Sequence, residues 1–274
     1  MLLPRMHTHA SRPQGYSLRQ AGRVKEAIAD YSACIDLAPE HFRAWSNRGA
    51  AWQCLGDHDR AVADYTAAIR LQPSHSASHH SRGVSREQLD QWEDAISDFT
   101  RALQLDETQA ASNVARGRLY DRMGDHESAV ADFSSALAKL APSDDSDRAE
   151  LLHCRGLAHR NAGDLQAAVD DYTSALQLDP VSTAATAILS NRGWALRKLG
   201  DLGRAVTDFT RCLEIGGESA SVRCGRAFAL AQQGDLRRAI KDYTAVLLHD
   251  PSHSEALFNR CCAFDKLKQF HAAL

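Results

Sequence analysis

The sequence has few features that would commit the protein to a membrane, a disulfide framework or a nucleic acid. Its 32 Lys and Arg nearly balance 35 Asp and Glu, so no basic surface for nucleic acid or anionic lipid is expected. No apolar run approaches the roughly 20 residues that span a bilayer, and the start, Met1–Arg5, is too short in apolar residues for a signal peptide. Seven cysteines without any Cys-x-x-Cys spacing indicate reduced thiols and a cytoplasmic location.

Motifs of catalytic chemistry are also missing from the sequence. There is no glycine-rich phosphate loop, no Ser-His-Asp order and no pair of catalytic carboxylates. A small histidine cluster, His75, His79 and His80, has no cysteine near it, whereas zinc needs three or four ligands on a fixed frame. We therefore expect a protein that is not an enzyme and that holds no metal or other cofactor.

What the sequence does contain is a repeat of about 34 residues. One residue type, alanine, recurs at intervals of 34, 34, 34, 39, 37, 34 and 34. The positions are Ala27, Ala61, Ala95, Ala129, Ala168, Ala205, Ala239 and Ala273. The two longer intervals predict insertions between units, one a polar loop over 142–148 and the other around 181–185.

Each repeat reads as two amphipathic helices joined by a tight turn. Apolar residues in the unit 42–75 recur at helical spacing, and Gly56-Asp57 predicts the end of the first helix and the start of the second. Small residues at Gly49 and Ala61 would let the two helices approach closely. Because one hairpin cannot cover its own apolar faces, neighbouring hairpins are expected to stack.

This pattern resembles the tetratricopeptide repeat (TPR), which has the same period and the spacing Trp45, Gly49, Tyr65 and Pro73 here. The resemblance covers about residues 8–274, with arginine where the family usually has leucine. It implies an all-α, right-handed α-solenoid of about eight TPR hairpins after a disordered tail over 1–7. The predicted repeats are 8–41 with an irregular first helix, 42–75, 76–109, 110–143, 149–182, 186–219, 220–253 and a truncated 254–274. The truncation suggests a fragment of a longer protein.

Two polar series recur once per repeat. One is an arginine in the first helix and the other an aspartate in the second, and both lie about nine residues from the turn that joins successive hairpins. We predict a structural ladder of ion pairs between neighbouring hairpins, Asp30 with Arg48 and onward; pairing within each hairpin is the alternative. The ladder residues are Asp30, Arg48, Asp64, Arg82, Asp98, Arg116, Asp132, Arg155, Asp171, Arg192, Asp208, Arg226, Asp242 and Arg260. A hydroxyl residue, such as Ser32 or Thr66, follows the aromatic of each second helix.

The resemblance also implies a ligand site, because members of the family bind peptides in a concave groove lined by the first helices. The groove positions carried over to this chain are Arg118, Arg122, His153, Arg160, Asn191, Trp194, Arg197, Lys198 and Phe228. Arginines beside large aromatics are typical of interface hot spots. An acidic peptide with one or two apolar anchors is the expected partner, while a solvated face is the alternative.

The function that follows is a non-catalytic scaffold for protein–protein interaction. Chaperone C-terminal tails are not expected partners, because the lysines and asparagines of the family's carboxylate clamp are missing at the matching positions. Two alternatives stay open: the substrate-recruiting region of a longer enzyme, and a structural component of a large assembly such as a cilium.

Overall fold

The computed structural model describes residues 23–141, 143–180, 184–216 and 219–272. These residues form fourteen α-helices, and no strand occurs among them. The predicted tail 1–7, the irregular first helix of the first repeat and Ala273 lie outside the described residues. The predicted all-α class is therefore confirmed for the part of the chain that the structure describes.

The first unit, within Met1–Met123, contains six helices in its described residues, 23–123. They are α1 (Val24–Leu37), α2 (Phe42–Cys54), α3 (His58–Leu71), α4 (Ser76–Gln88), α5 (Trp92–Leu105) and α6 (Ala110–Met123). Helices α2 and α3 form one hairpin and α4 and α5 the next, and each second helix also packs on the first helix that follows it. The first helices α2 and α4 contact each other directly.

The second unit, Gly124–Leu274, contains eight helices in its described part. They are α7 (His126–Lys139), α8 (Asp145–Ala162), α9 (Leu165–Leu178), α10 (Ala185–Leu199), α11 (Leu202–Gly216), α12 (Ala220–Gln232), α13 (Leu236–His249) and α14 (Ser254–Ala272). The hairpins are α8–α9, α10–α11 and α12–α13. First helices again touch in succession, α8 with α10, α10 with α12 and α12 with α14, so they share one face of this unit.

Five turns between paired helices in the described residues are set by a Gly-Asp pair, as predicted. Gly56 has a φ of +77°, a value that favours glycine, and the carboxylate of Asp57 accepts a hydrogen bond from the Arg60 amide at 3.1 Å. The same cap is formed by Asp125, Asp164, Asp201 and Asp235. In the third repeat Asp90 occupies the glycine position at a φ of +56°, and the next residue, Gln91, makes no side-chain cap.

The helices of a hairpin approach closely where the first carries glycine. A Cβ atom on Gly49 would lie 3.1 Å from the ring of Tyr65, and one on Gly156 would lie 2.7 Å from the ring of Tyr172. Such distances are tighter than ordinary side-chain contacts, so a larger residue here would push the ring away. The recurring alanines of the second helices within the described residues, from Ala27 to Ala239, are fully buried.

Two predicted boundaries differ from the structure. The polar loop predicted over 142–148 is shorter, because α8 begins at Asp145. Asp145 and Asp147 lie in its first turn, where acidic side chains interact favourably with the free amides of the helix end. In the last repeat, α14 continues to Ala272 without a turn, since Lys268-Gln269 replaces the Gly-Asp pair.

The uncapped start of α5 yields a stability prediction. Gln91→Asp should raise the free energy of unfolding by about 1 kcal/mol, because aspartate at an N-cap accepts a bond from a free helix amide. The check is urea denaturation of the full chain followed by circular dichroism. Gln91→Glu is the matched control, since it adds the same charge without the capping geometry; an equal gain from Glu would contradict the capping explanation.

Candidate functional site

The ladder arginines pair with aspartates inside their own hairpins. Arg48 donates to the two carboxylate oxygens of Asp64 from Nε and Nη2, at 2.7 and 2.8 Å. The same two-bond geometry recurs at Arg82–Asp98, Arg155–Asp171, Arg192–Asp208 and Arg226–Asp242, with distances of 2.6 to 2.9 Å. The predicted pairing between neighbouring hairpins, Asp30 with Arg48 and onward, is therefore wrong, and the alternative is correct in these five hairpins.

The close contact between the small residue that follows the arginine, usually glycine, and the aromatic ring that follows the aspartate explains this geometry. Arg48 precedes Gly49 and Asp64 precedes Tyr65, so the close approach of glycine and ring brings the arginine and the aspartate opposite each other. Arg48 and Asp64 also lie about equally far from the Gly56-Asp57 turn within the hairpin. The sequence prediction counted residues only from the turn that joins successive hairpins. At the ends of the series, Asp30 forms no ion pair with any described residue and Arg260 bonds only Thr244.

The link between hairpins is made by the hydroxyl series instead. Nη1 of Arg48 donates to Ser32 Oγ of the preceding hairpin at 3.0 Å, and Nη1 of Arg192 donates to Thr173 Oγ1 at 3.0 Å. Five further arginines make the same bond at 2.8 to 3.4 Å: Arg82, Arg116, Arg155, Arg226 and Arg260. Each arginine thus joins its own hairpin to a hydroxyl of the previous one.

The donors of the ladder arginines are used by these bonds within the chain. Asp64 and Asp171 are buried, and the hydrogen bond to aspartate is the main factor that raises the pKa of Arg48 and of Arg155. A cation held by two bonds to a carboxylate is not available to an anionic ligand. In these five hairpins the arginine and the aspartate of the ladder are bonded to each other.

In the first unit, the predicted groove residues Arg118 and Arg122 lie on α6 with exposed side chains. The guanidinium carbon of Arg122 stands 4.5 Å from the ring centroid of Trp92. Its nitrogens lie 3.8 Å from Glu87 Oε1 and 4.0 Å from Asp90 Oδ1. The charge of Arg122 is therefore largely compensated by its own surroundings.

In the second unit, three predicted residues form one polar network on the first-helix face. Arg160 Nη1 donates to Asn191 Oδ1 at 2.6 Å, and Asn191 Nδ2 lies 3.5 Å from His153 Nε2. Burial lowers the pKa of His153, and the positive charge of Arg160 adds to that effect. Arg160 has no carboxylate within ion-pair distance in the described part of the chain.

In the same unit, Arg197 contacts two aromatic rings. Its guanidinium carbon is 4.6 Å from the ring centroid of Trp194 and 4.6 Å from that of Phe228. Its Nε is buried and has no hydrogen-bond partner, and no acidic group of the described residues forms an ion pair with it. Lys198 is exposed beside it. The structure thus brings Trp194, Arg197 and Phe228 together as a cluster, which we call the arginine–aromatic cluster.

Sequence reasoning missed Gly225, which makes room for this cluster. A Cβ atom at Gly225 would lie 3.0 Å from both Trp194 Cζ2 and Phe209 Cζ, so the glycine provides space for the indole. In the seventh repeat the glycine precedes the ladder arginine, Arg226, rather than following it, and Ala227 takes the usual glycine position. The reversed order, Gly225 before Arg226, is the sequence feature from which this difference in packing could have been predicted.

The histidines of the small cluster are engaged in hydrogen bonds. His75 Nδ1 lies 2.8 Å from Ser78 Oγ, and His79 Nε2 lies 3.1 Å from the carbonyl oxygen of Pro73. Over the described residues, no group of three or more potential ligands is placed to hold a metal. The seven cysteines are free thiols, and none of the described helices is long and apolar enough to cross a membrane.

Stacked antiparallel hairpins with a period of 34 residues define a helical-repeat protein. Family models described as "Tetratricopeptide repeat" match residues 12–76, 54–113, 110–138, 149–180, 186–215 and 224–273. The chain belongs to the tetratricopeptide repeat family, whose fold is in general that of a non-catalytic interaction scaffold. A comparison with curated proteins finds no match.

Solved structures share this fold at low sequence identity. YrrB, described as a TPR protein with an unusual peptide-binding site, is 18% identical, with 72% of this chain and 97% of that chain covered and a TM-score of 0.63. The C-terminal part of a TPR protein from Cytophaga hutchinsonii is 16% identical, with 89% and 97% covered and a TM-score of 0.72. A chain of the Naa15/Naa10 complex bound to HypK-THB is 16% identical, with 95% and 39% covered and a TM-score of 0.63.

The ladder geometry predicts a large effect of removing one buried carboxylate. Asp171→Ala should lower the free energy of unfolding by about 2–4 kcal/mol, because the Arg155 guanidinium would lose its partner in a mostly buried site. Chemical denaturation measures the loss. The neighbouring exposed Asp170→Ala is the control, expected within about 0.5 kcal/mol of the wild type; equal effects of the two variants would contradict the structural role.

The pKa of His153 predicts a pH dependence of stability. Its pKa in the folded protein lies below the unfolded value of about 6.5, so below that pH the unfolded chain binds a proton that the folded chain resists. Stability should therefore fall as the pH drops below about 6.5. His153→Gln should reduce the fall between pH 7.5 and 5, measured by urea denaturation, and Arg160→Gln should reduce it less; unchanged pH profiles would refute this explanation.

Proposed function

We propose that the chain is a protein-interaction module whose second unit binds an acidic peptide segment on its first-helix face. The observation that carries this proposal is Arg197, which contacts the rings of Trp194 and Phe228 and has no internal anionic partner among the described residues. Arginine and tryptophan are enriched among residues that dominate binding energy. An uncompensated cation flanked by aromatic surface favours a ligand with a carboxylate next to an apolar side chain.

Arg160 gives the face a second cationic position. It lies on α8 and Arg197 on α10, each five residues after the ladder arginine of its helix, and α8 and α10 are in contact. Packed helices are about 8–10 Å apart, and an extended peptide advances about 3.3 Å per residue. Two acidic residues about three positions apart in the peptide would therefore match the two arginines.

The likeness to YrrB supports a peptide as the ligand class, since that protein has the same fold and is described as having a peptide-binding site. Free cysteines suit the reducing, cytoplasmic location that the sequence indicates. In this proposal the chain has no catalytic role, and the ladder maintains the spacing of the binding residues.

The test is the selection of peptides from an array of random 12-residue sequences by the full chain, followed by fluorescence anisotropy at about 0.15 M salt. We expect enrichment of acidic residues near an apolar one. Arg160→Glu combined with Arg197→Glu should weaken the selected peptide by about tenfold or more, because placing like charges against each other at an interface costs several kcal/mol.

The matched control carries the same charge change on a second helix. Arg237 and Lys241 are exposed on α13, and Arg237→Glu with Lys241→Glu should leave the affinity within about twofold, since exposed charges contribute little. Equal losses in the two double variants would indicate non-specific charge attraction and overturn the proposed site.

A further inference from the structure

A cavity lies between α4 and α5 in the first unit. Its volume is about 370 Å³, and among the described residues only side chains of these two helices line it. They include His79, Arg82, Ser97, Asp98, Thr100 and Arg101. The side chains of Ser97 and Arg101 are exposed, so the cavity is open to solvent. All of these lining side chains are polar, which favours a polar ligand.

A comparison with the second repeat explains the space. Three residues before its ladder arginine the second repeat has Trp45, whose Nε1 donates to the carbonyl oxygen of Pro39 at 2.8 Å. The guanidinium carbon of Arg48 lies 5.0 Å from the indole centroid. The third repeat has His79 at this position, and its Nε2 makes the same bond to Pro73, at 3.1 Å. Imidazole is smaller than indole, and the cavity lies against this imidazole and the ladder arginine of the third repeat.

The imidazole of His79 has one nitrogen without a partner. A carbonyl oxygen only accepts hydrogen bonds, so Nε2 carries the proton and Nδ1 of the neutral ring is an acceptor. His79 is 6% exposed, and Nδ1 is buried with no hydrogen-bond partner in the described part of the chain. Asp98 Oδ1 lies 3.8 Å from Nδ1, but an ionised carboxylate has no proton to donate. Because a buried acceptor without a donor carries a desolvation cost, a ligand that donates a proton here would be stabilising.

The surroundings of the cavity carry an excess of positive charge. Arg82 donates to both carboxylate oxygens of Asp98, at 2.9 and 2.6 Å, and Arg86 donates to Oδ2 at 2.7 Å. Two cations therefore surround one carboxylate. The exposed Arg101 bonds Gln104 Oε1 at 3.1 Å and forms no ion pair with any acidic group of the described residues. Its remaining N–H donors are available to an anion.

We propose that this cavity binds a phosphate group, whose oxygens accept hydrogen bonds from Arg101, Ser97 and Thr100. Thr100 Oγ1 accepts a bond from Arg116 Nη1 at 2.8 Å, so the threonine still has its own hydrogen to donate. The one proton that the phosphate retains is donated to His79 Nδ1. A phosphate monoester loses that proton with a pKa near 6, so close to this pH it combines acceptor oxygens with a P–O–H donor. Sulfate and carboxylate ions have no such proton.

The experiment follows the Arg101 Nε–Hε resonance in the full chain, labelled with ¹⁵N-arginine, and assigns it by its loss in Arg101→Lys. At a pH of about 6, sodium phosphate should shift the resonance saturably, while sodium chloride at equal ionic strength should not. Sodium sulfate should bind about fivefold more weakly than phosphate, because it cannot make the bond to the histidine. Acetyl-Ala-phosphoserine-Ala-amide then distinguishes the sources of the phosphate. Tighter binding than inorganic phosphate indicates a phosphorylated protein, and equal or weaker binding indicates a free phosphate.

Variants taken from other repeats test the role of each residue. His79→Trp introduces the residue of the second repeat and should abolish the shift by filling the cavity. His79→Leu introduces the residue found at Leu152 and Leu189, and it should bind phosphate no more tightly than sulfate. Arg101→Ala, followed by the width of the ³¹P resonance, should weaken phosphate binding about tenfold, because a bond to a charged group is lost. Arg211→Ala is the matched control, since Arg211 is exposed at the same position of the sixth repeat, and it should bind as the wild type does.

Three outcomes would overturn this inference. It is wrong if phosphate leaves the Arg101 resonance unshifted, if sulfate binds as tightly as phosphate, or if Arg211→Ala weakens binding as much as Arg101→Ala does. Circular dichroism checks that the variants fold, and the exposed Arg101→Ala keeps the test decisive should His79→Trp not fold. The cavity is lined by residues of the first unit, so its test is independent of the peptide site proposed in the second.

Discussion

The close contact between a small residue of the first helix, glycine in most repeats and Ala227 in the seventh, and the aromatic ring of the second helix is the constraint on which the hairpins depend. At 2.7 to 3.1 Å from a would-be Cβ atom to the ring, it sets how closely the two helices pack. The residues that precede the glycine and the ring are then placed opposite each other, and these are the ladder arginine and aspartate. Arginine in place of the family's usual leucine is therefore compatible with the fold, because a carboxylate is already aligned to receive it.

The ladder arginines also give successive hairpins a polar connection. The third donor of each guanidinium bonds a hydroxyl in the preceding hairpin, so one side chain fixes both the internal pairing and the position of the neighbour. Ion pairs of this kind add specificity of arrangement more than net stability, since the desolvation of two charges offsets much of their attraction. Apolar burial by the alanines and aromatics remains the main stabilising contribution.

Against this regular background, the seventh repeat departs from the pattern in two places on one helix. Gly225 and Ala231 stand where Asn191 and Gln53 provide acceptors in two other repeats, and neither Arg197 Nε nor the Tyr243 hydroxyl has a hydrogen-bond partner in the described part of the chain. A fold built on repetition makes such departures easy to recognise, because the other hairpins show what the missing side chain would have done.

The sequence by itself determined the helical hairpins, their period and their turns. Alanine spacing, the Gly56-Asp57 pair and the amphipathic stripes are local signals, and local propensity decides where helices begin and end. The left-handed conformation of Asp90 and the helical conformation of the residues after Asp145 were not predicted. Neither the absence of a glycine nor a run of acidic residues determines the local backbone conformation. The candidate residues Trp194, Arg197 and Phe228 were named from the resemblance alone.

Only the tertiary structure decided which charges pair. Arg48 is about equally distant along the chain from Asp30 and Asp64, so sequence separation cannot show which of them it pairs with. The close contact between Gly49 and Tyr65 places Asp64 opposite Arg48. Likewise, nothing in the order of residues shows that Arg122 is compensated by Glu87 while Arg197 is not. Whether a cation is free depends on the groups that packing places around it, and these groups come from other helices.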